Sequence, residues 1–213
     1  NSELMRIVTQ EAGREVLAGT YYGYNVAHLR GYNTPGAWLQ NNNFDLIERL
    51  QDPNWDFFAA PTPYSSRRPG SSHYTSFTLD SLRLHGKLHI GEIDHRTFIA
   101  AQKRYGRMRS ERETAAVMLR DMAGLMIDGH GYWFSDWSRG EGREGVGWFL
   151  DPGILATIEQ ARRVHELALR RERRSVAQIA VFTTGRTMRY HDIYRAAPIY
   201  HNLIVRTLWD AMG

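Results

Sequence analysis

Four chemically active side chains stand close together in the segment GKLHIGEIDHRT, residues 86–97. Glu92, Asp94, His95 and Arg96 follow a short apolar run that is typical of a buried β-strand. Carboxylate, imidazole and guanidinium groups are costly to bury unless they pair with one another or take part in chemistry. In parallel α/β folds, active sites lie at the carboxyl ends of the strands. The spacing alone leaves two interpretations open, a catalytic centre or a salt-bridged strand exit.

The composition excludes several kinds of site and partner. The chain has 213 residues, a small net charge of +4 and no cysteine, which excludes disulfides, thiol catalysis and cysteine-ligated metals. The lack of cysteine fits a reducing compartment, and we expect the protein to be cytoplasmic. No apolar run approaches the ~20 residues of a membrane helix, and no nucleic-acid-binding motif is present. We therefore expect neither a membrane nor a nucleic acid as a partner.

The elements that must position these side chains alternate along the chain. Strands are predicted at 16–24, at 56–60, in the run before Glu92 and at 130–137, and helical patterns lie between them. Two helix starts carry strong signals: Ser110 with Glu113 forms a capping box, and Asp151 precedes Pro152 at the first turn of another helix. This series of β-then-α units predicts a parallel sheet or barrel.

The pattern changes after an arginine-rich run at residues 170–174. A new buried strand is predicted at 178–183, and an amphipathic helix with Leu203 on its apolar face follows it. We therefore divide the chain into residues 1–174 and residues 175–213, the latter being the start of a second α/β domain. A complete eight-stranded barrel needs about 250 residues, so the first part has room for only half of one. We expect the sequence to be a fragment of a longer protein.

Several stretches of the chain together resemble a known family. They are GTYYGY, DFFAAPTPYSSRRPG, DSLRLHGKLHIGEIDHRT, GYWFSDW and GWFLDPGIL. Between Gly19 and Thr183 the chain is similar to the family-42 β-galactosidase group of glycoside hydrolases. The resemblance implies an α/β fold, namely the C-terminal half of a (β/α)8 TIM barrel. The segment from Ser175 would then begin the flavodoxin-like domain that the family uses for trimer contacts.

The same resemblance implies a chemistry for the central segment. Glu92, at the end of the seventh barrel strand, would be the nucleophile of a retaining β-galactosidase-like hydrolase with a carbohydrate substrate. Such enzymes need a second carboxyl group about 5 Å away that acts as acid and then as base. In the family this residue follows an asparagine on the fourth strand, which would lie upstream of Asn1. We therefore expect the chain as given to be inactive alone, and the complete protein to be a trimer.

Further residues receive supporting roles. Asp94 and Arg96 are expected to form an ion pair that fixes the strand exit beside Glu92. An indole at a barrel rim can stack on the apolar face of a galactose ring. Trp137 and Asp136 end the last barrel strand, and Tyr64 and Arg67 lie just beyond a strand end, where they could contact Glu92 or a sugar hydroxyl; these four are the expected substrate-binding residues.

Three alternatives compete with this interpretation. A metal centre is suggested by the number of histidines near strand ends, but no HExxH motif occurs and we expect neither a metal nor a cofactor; the histidines in question are His85, His89, His95 and His130. A serine hydrolase is disfavoured because no GxSxG motif is present. The remaining alternative is a catalytically silent carbohydrate-binding or assembly protein on the same scaffold.

Overall fold

The protein is an α/β protein with a parallel sheet. The computed structural model describes residues 2–22, 46–73, 75–101, 106–138, 147–180 and 182. Four strands form one sheet whose order follows the chain; they are β1 (Gly19–Tyr21), β2 (Phe57–Pro61), β3 (Leu88–Ile93) and β4 (Gly131–Phe134). β1 and β2 pair in parallel, with Gly19 opposite Phe57. The sequence prediction of an α/β fold is confirmed at this level.

Five helices alternate with these strands in the described ranges. They are α1 (Ser2–Glu11), α2 (Leu46–Gln51), α3 (Leu79–Leu84), α4 (Glu111–Ile127) and α5 (Pro152–Leu169). A short 3₁₀ turn, Tyr64–Ser66, follows β2. β2 has the predicted length and is displaced by one residue, whereas β1 and β4 are shorter than predicted; beyond β4, the backbone N–H of Ser135 still donates to the Ile93 carbonyl at 3.0 Å.

Both predicted helix starts are present. The Ser110 hydroxyl accepts a hydrogen bond from the Glu113 backbone N–H at 3.2 Å, which satisfies one free donor of the first turn of α4. The Asp151 carboxylate accepts from the backbone N–H groups of Gly153 and Ile154, and Pro152 occupies the first turn of α5. These starts were predictable because a cap depends only on residues within one helical turn.

The chain divides into two compact units. The first comprises residues 1–60, 75–90 and 175–213, and the second comprises residues 61–74 and 91–174. The core of the first unit is aromatic, with Trp55 stacked on Phe58 at 5.2 Å between ring centroids. The core of the second unit joins α4, α5 and the end of β3.

The strand predicted at 178–183 is not found in the described part of that segment. Residues 175–180 and 182 are exposed and have no regular structure. A buried strand needs neighbouring strands to satisfy its backbone groups, and the described residues of the segment have none. The helix predicted around Leu203 lies outside the described residues. The division into domains at residue 175 stays a prediction.

Candidate functional site

The direction of Glu92 follows from the packing of β3 in the second unit. A Cβ atom added to Gly91 would lie 2.4 Å from a methyl carbon of Leu125, so this face of the strand is pressed against α4. Ile93 belongs to the same buried core as Met122 of α4. Successive side chains of a strand point to opposite faces of the sheet. Glu92, between Gly91 and Ile93, therefore points away from α4.

Glu92 is a buried carboxylate with one oxygen atom that has no hydrogen-bond partner among the described residues. The residue is 5 % exposed, and its Oε1 atom has no hydrogen-bond partner in the described ranges. Its backbone carbonyl accepts a hydrogen bond from the N–H of Thr62 at 3.3 Å, which ties β3 to the end of β2. Buried charged groups without partners are rare in native proteins because desolvation is costly. Such a group is a candidate for chemistry.

Asp94, two positions further along, has three side-chain partners, although its Oδ1 atom has no hydrogen-bond partner in the described ranges and is held by an ion pair alone. The Tyr64 hydroxyl donates a hydrogen bond of 2.9 Å to Oδ2, and Arg96 donates to the same atom at 2.9 Å. The Arg67 guanidinium forms an ion pair with Oδ1. The ion pair predicted between Asp94 and Arg96 is therefore present. One carboxylate is held by two cations and a phenol, which makes this strand exit rigid.

Arg67 joins the ends of β2 and β3. The side chain is almost fully buried, and it donates to the Thr62 carbonyl through Nη2 at 2.6 Å and Nε at 3.2 Å. Its Nη1 atom donates to the Asp94 carbonyl at 3.2 Å. All three guanidinium nitrogens are thus engaged by the protein. The expectation that Arg67 contacts a sugar stays a prediction; its described hydrogen bonds connect it to Thr62 and Asp94.

Tyr64 packs beside the same cluster. The Arg67 guanidinium carbon lies 3.9 Å from the centroid of the Tyr64 ring, and that of Arg96 lies 4.9 Å away. Burial raises the pKa of Tyr64, and the negative charge of Asp94 raises it further. The phenol therefore stays protonated and donates to Asp94. Its hydroxyl contacts Asp94, whereas the sequence had suggested a contact with Glu92 or a sugar.

A second buried cluster lies on the α4 side of β3. His95 is fully buried, and its Nε2 atom is 2.7 Å from Oδ2 of Asp121 on α4. Burial lowers the pKa of His95, although the Asp121 carboxylate opposes the shift. The imidazole is therefore neutral, and because a carboxylate only accepts, Nε2 carries the proton. The other nitrogen, Nδ1, has no partner among the described residues.

Asp121 collects donors from three side chains. Its Oδ1 atom accepts from Arg120 Nε at 2.9 Å and is 3.2 Å from His73 Nδ1. Burial alone would raise the pKa of Asp121, but the hydrogen bonds from His73, His95 and Arg120 outweigh it and hold the pKa far below its usual range. Asp121 is therefore permanently ionised.

Asp121 and His73 were not predicted from the sequence to belong to the site. Asp121 lies within the buried stripe of α4, among Met118, Met122 and Leu125. An acidic residue at such a position was the available signal, because a buried carboxylate needs donors nearby. Gly124 is a second signal, since a Cβ atom there would lie 2.0 Å from the His73 ring. A glycine inside a helix costs about 1 kcal/mol relative to alanine, so a packing reason is expected.

The two residues predicted to bind sugar after β4 have different environments. Asp136 accepts hydrogen bonds from the backbone N–H groups of Ser138 at 2.7 Å and Trp148 at 2.8 Å. Gly147 allows this approach, because a Cβ atom there would lie 2.0 Å from Asp136 Oδ2. Asp136 therefore anchors the chain before α5. Trp137 is 57 % exposed and remains available for stacking.

Two further features are absent from the described ranges. No group of three or more His, Asp and Glu side chains there is arranged to hold a metal ion. None of the described helices is long and apolar enough to cross a membrane.

No family model matches the chain, and no curated protein or solved structure is found to match it. The α/β class is therefore established by the structure alone. The likeness to the family-42 β-galactosidases remains a hypothesis that the motifs support.

Proposed function

We propose that the chain is part of a retaining glycoside hydrolase that acts on β-linked galactose, with Glu92 as its nucleophile. One observation carries the proposal. Glu92 is a buried carboxylate at the carboxyl end of a parallel strand, it points away from α4, and no described residue donates to its Oε1 atom. A nucleophile needs an oxygen that is free to approach the anomeric carbon.

The proposed barrel is supported by the order of the strands. The order β1-β2-β3-β4 follows the chain without reversal, whereas doubly wound sheets reverse their order at a switch point. Right-handed crossovers that always step in the same direction place all helices on one face of a sheet. The opposite face, which carries Glu92, then has to be covered in another way. Closure into a barrel makes that face the interior.

The chemistry assigned to Glu92 is a double displacement. A carboxylate oxygen attacks the anomeric carbon while the bond to the leaving oxygen breaks, and a second carboxylic acid protonates that oxygen. Water, deprotonated by the same second group, then cleaves the glycosyl ester and restores Glu92.

The acid/base residue is not one of the two neighbouring buried carboxylates. An acid must hold a proton at the working pH. Asp121 is unsuitable because its donors hold its pKa far below the usual range. Asp94 is unsuitable because Arg67, Arg96 and Tyr64 occupy its oxygens. In the proposed mechanism the acid/base is therefore a carboxyl group other than Asp94 and Asp121.

The remaining parts of the proposal concern substrate and assembly. Trp137, at the end of β4, is exposed and would stack on the apolar face of the sugar. The segment from residue 175 would contribute to a second α/β domain and to a trimer in the cytoplasm. No cofactor is needed for this reaction.

The decisive experiment uses the full-length protein and an aryl β-galactoside. Glu92→Gln is expected to abolish turnover, while Glu111→Gln, at an exposed glutamate that begins α4, leaves it unchanged. Azide is expected to restore turnover in Glu92→Gly and to give a glycosyl azide. A 2-deoxy-2-fluoro galactoside is expected to label Glu92 covalently, as detected by mass spectrometry. Labelling of another residue, or an active Glu92→Gln variant, would refute the assignment.

A second candidate function is a catalytically silent carbohydrate-binding protein on the same scaffold. The observation that favours it is that Asp94 and Asp121, the buried carboxylates nearest to Glu92 in the sequence of the strand exit and in α4, are both held by donors that make them unsuited to the acid/base role. Calorimetric titration of the full-length protein with galactose separates the two. Binding without turnover of any aryl glycoside supports the silent protein, and turnover refutes it.

A further inference from the structure

We infer that Asp121 is a positioning residue that sets the register between the chain segments leaving β2 and β3. These two segments supply the groups around Asp94 and lead to Glu92. The inference rests on the proposed function for its kinetic consequence. Its structural consequence rests on geometry alone, and separate readouts test the structural and the kinetic consequences.

The first connection runs to the exit of β3. His95 follows Asp94 directly, and its Nε2–H donates to Asp121 Oδ2 at 2.7 Å. Both side chains are buried, at 0 % and 1 % exposure for His95 and Asp121. A charge-assisted hydrogen bond in such a dry environment is strong and directional. The backbone that carries Asp94 is therefore held at a fixed distance from α4.

The second connection runs to the segment after β2 through Arg120. Its Nε atom donates to Asp121 and its Nη2 atom is ion-paired with the same carboxylate at 2.9 Å, while both terminal nitrogens also donate to backbone carbonyls. Nη1 donates to the carbonyls of Arg68 at 3.0 Å and Ser71 at 2.7 Å, and Nη2 donates to that of Ser66 at 2.8 Å. A planar guanidinium held at Nε has few orientations left. Asp121 thereby orients the group that organises this segment.

The third connection reaches the far end of the same segment. His73 Nδ1 lies 3.2 Å from Asp121 Oδ1, and its ring occupies the space that the missing side chain of Gly124 leaves open. The segment from Ser66 to His73 is thus held at several points by one helix. Tyr64 and Arg67, at its beginning, are the groups that bind Asp94 from the β2 side.

These connections give Asp121 a role that differs from ordinary core packing. The carboxylate of Asp94 is neutralised only when donors from both segments reach it together. A shift of either segment would release a donor and leave the charge of Asp94 only partly neutralised. Asp121 lies on the α4 side of β3, whereas Glu92 points away from α4, so Asp121 acts through the strand and touches no substrate.

The test compares Asp121→Asn with Met122→Leu in the full-length protein. Met122 is the next residue of α4 and is equally buried, so its volume-conserving substitution perturbs packing without removing a hydrogen bond. The first readout is isotope-edited NMR of the imidazole nitrogens, with the His95 signal assigned by its loss in His95→Gln. We expect a neutral Nε2–H tautomer in the native protein and in Met122→Leu. In Asp121→Asn we expect loss of the single tautomer.

The second readout is amide hydrogen exchange in residues 64–73. Asp121→Asn is expected to raise the exchange rates of residues 64–73 by about 10-fold or more relative to the rates in α4, because local opening of this segment becomes easier. Met122→Leu is expected to leave this ratio unchanged. If Asp121→Asn fails to fold, Arg120→Gln replaces it as the test variant. It should loosen the same segment while the His95 tautomer is kept.

The third readout is kinetic and depends on the proposed function. Asp121→Asn should lower kcat by about 10- to 100-fold with little change in KM, because small displacements of reacting groups are costly. A native protein without turnover would refute the proposed function, and the first two readouts would still decide this inference. Unchanged tautomer and exchange in the Asp121 variant, or equal changes in Met122→Leu, would overturn it.

Discussion

Glu92 and Asp94 stand two positions apart at the exit of β3, yet cationic side chains form ion pairs with Asp94 only among the described contacts. Asp94 has Tyr64, Arg67 and Arg96 as partners, whereas Glu92 Oε1 has none among the described residues. Two carboxylates with such different surroundings are expected to have different roles. The contrast also predicts opposite effects on stability.

Glu92→Gln is expected to raise the free energy of unfolding by about 0.5–2 kcal/mol, the range found for relief of an unfavourable functional group. The reason is that a neutral amide is less costly to bury than a carboxylate without donors. Urea denaturation at neutral pH measures the change. The matched control is Glu111→Gln, at an exposed glutamate, which should change stability little. A clear loss of stability in Glu92→Gln would show that unseen donors compensate the native carboxylate.

Asp94→Asn should have the opposite effect. Removing one partner of a buried ion pair typically costs about 3–5 kcal/mol, because the remaining charge is left uncompensated. Here that charge is the guanidinium of Arg67, which is 3 % exposed. Asp80→Asn is the control, since its ion pair with Arg83 is on the surface and worth less than about 1 kcal/mol. Similar losses in the two variants would contradict the structural importance of the Asp94 cluster.

The stability contributed by Asp121 should depend on pH in the acid range. Its pKa in the folded protein is far below its usual range, whereas in the unfolded chain it is about 3.9. The unfolded state therefore binds a proton first as the pH falls, and protonation favours unfolding. The stability difference between native protein and Asp121→Asn should be constant above about pH 5 and shrink below it. A difference that stays constant down to the acid limit of folding would exclude this linkage.

Gly91→Ala should be destabilising by about 1–3 kcal/mol, the usual cost of overpacking a core. The new methyl group would meet Leu125 at 2.4 Å, so either the strand or the helix has to shift. Combining it with Leu125→Val should cost less than the sum of the two single changes. Chemical denaturation of the four proteins in this cycle measures the coupling. Strict additivity would mean that β3 and α4 are not in contact at this point.

The parts of the fold that the sequence predicted correctly depend on neighbours along the chain. The start of α4 at Ser110 and that of α5 at Asp151 were predictable because each cap binds backbone groups within its own first turn. The predicted strand before Glu92 is also present as β3. The predicted strand at 178–183 is not found in its described residues, since a strand depends on partners elsewhere in the chain.

The sequence predicted several of the residues of the candidate site but not how they pair. The cluster of Glu92, Asp94 and Arg96 at a strand end could be recognised from spacing, and the ion pair between Asp94 and Arg96 was expected. Tyr64 and Arg67 were expected near the same place, but their partner turned out to be Asp94. Asp121 was missed, because helical periodicity marks it only as one more buried position of α4.

The sequence by itself determined that Glu92 faces away from Gly91 and Ile93, since strand geometry alternates side chains without regard to the rest of the molecule. Only the tertiary structure decided which carboxylate received the arginines. Arg67 and Asp94 are 27 positions apart, and Asp121 lies 26 positions from His95, so their pairing depends on how the segments fold together. Electrostatic and hydrogen-bond energies fall steeply with distance and angle, and those quantities exist only once the chain has folded.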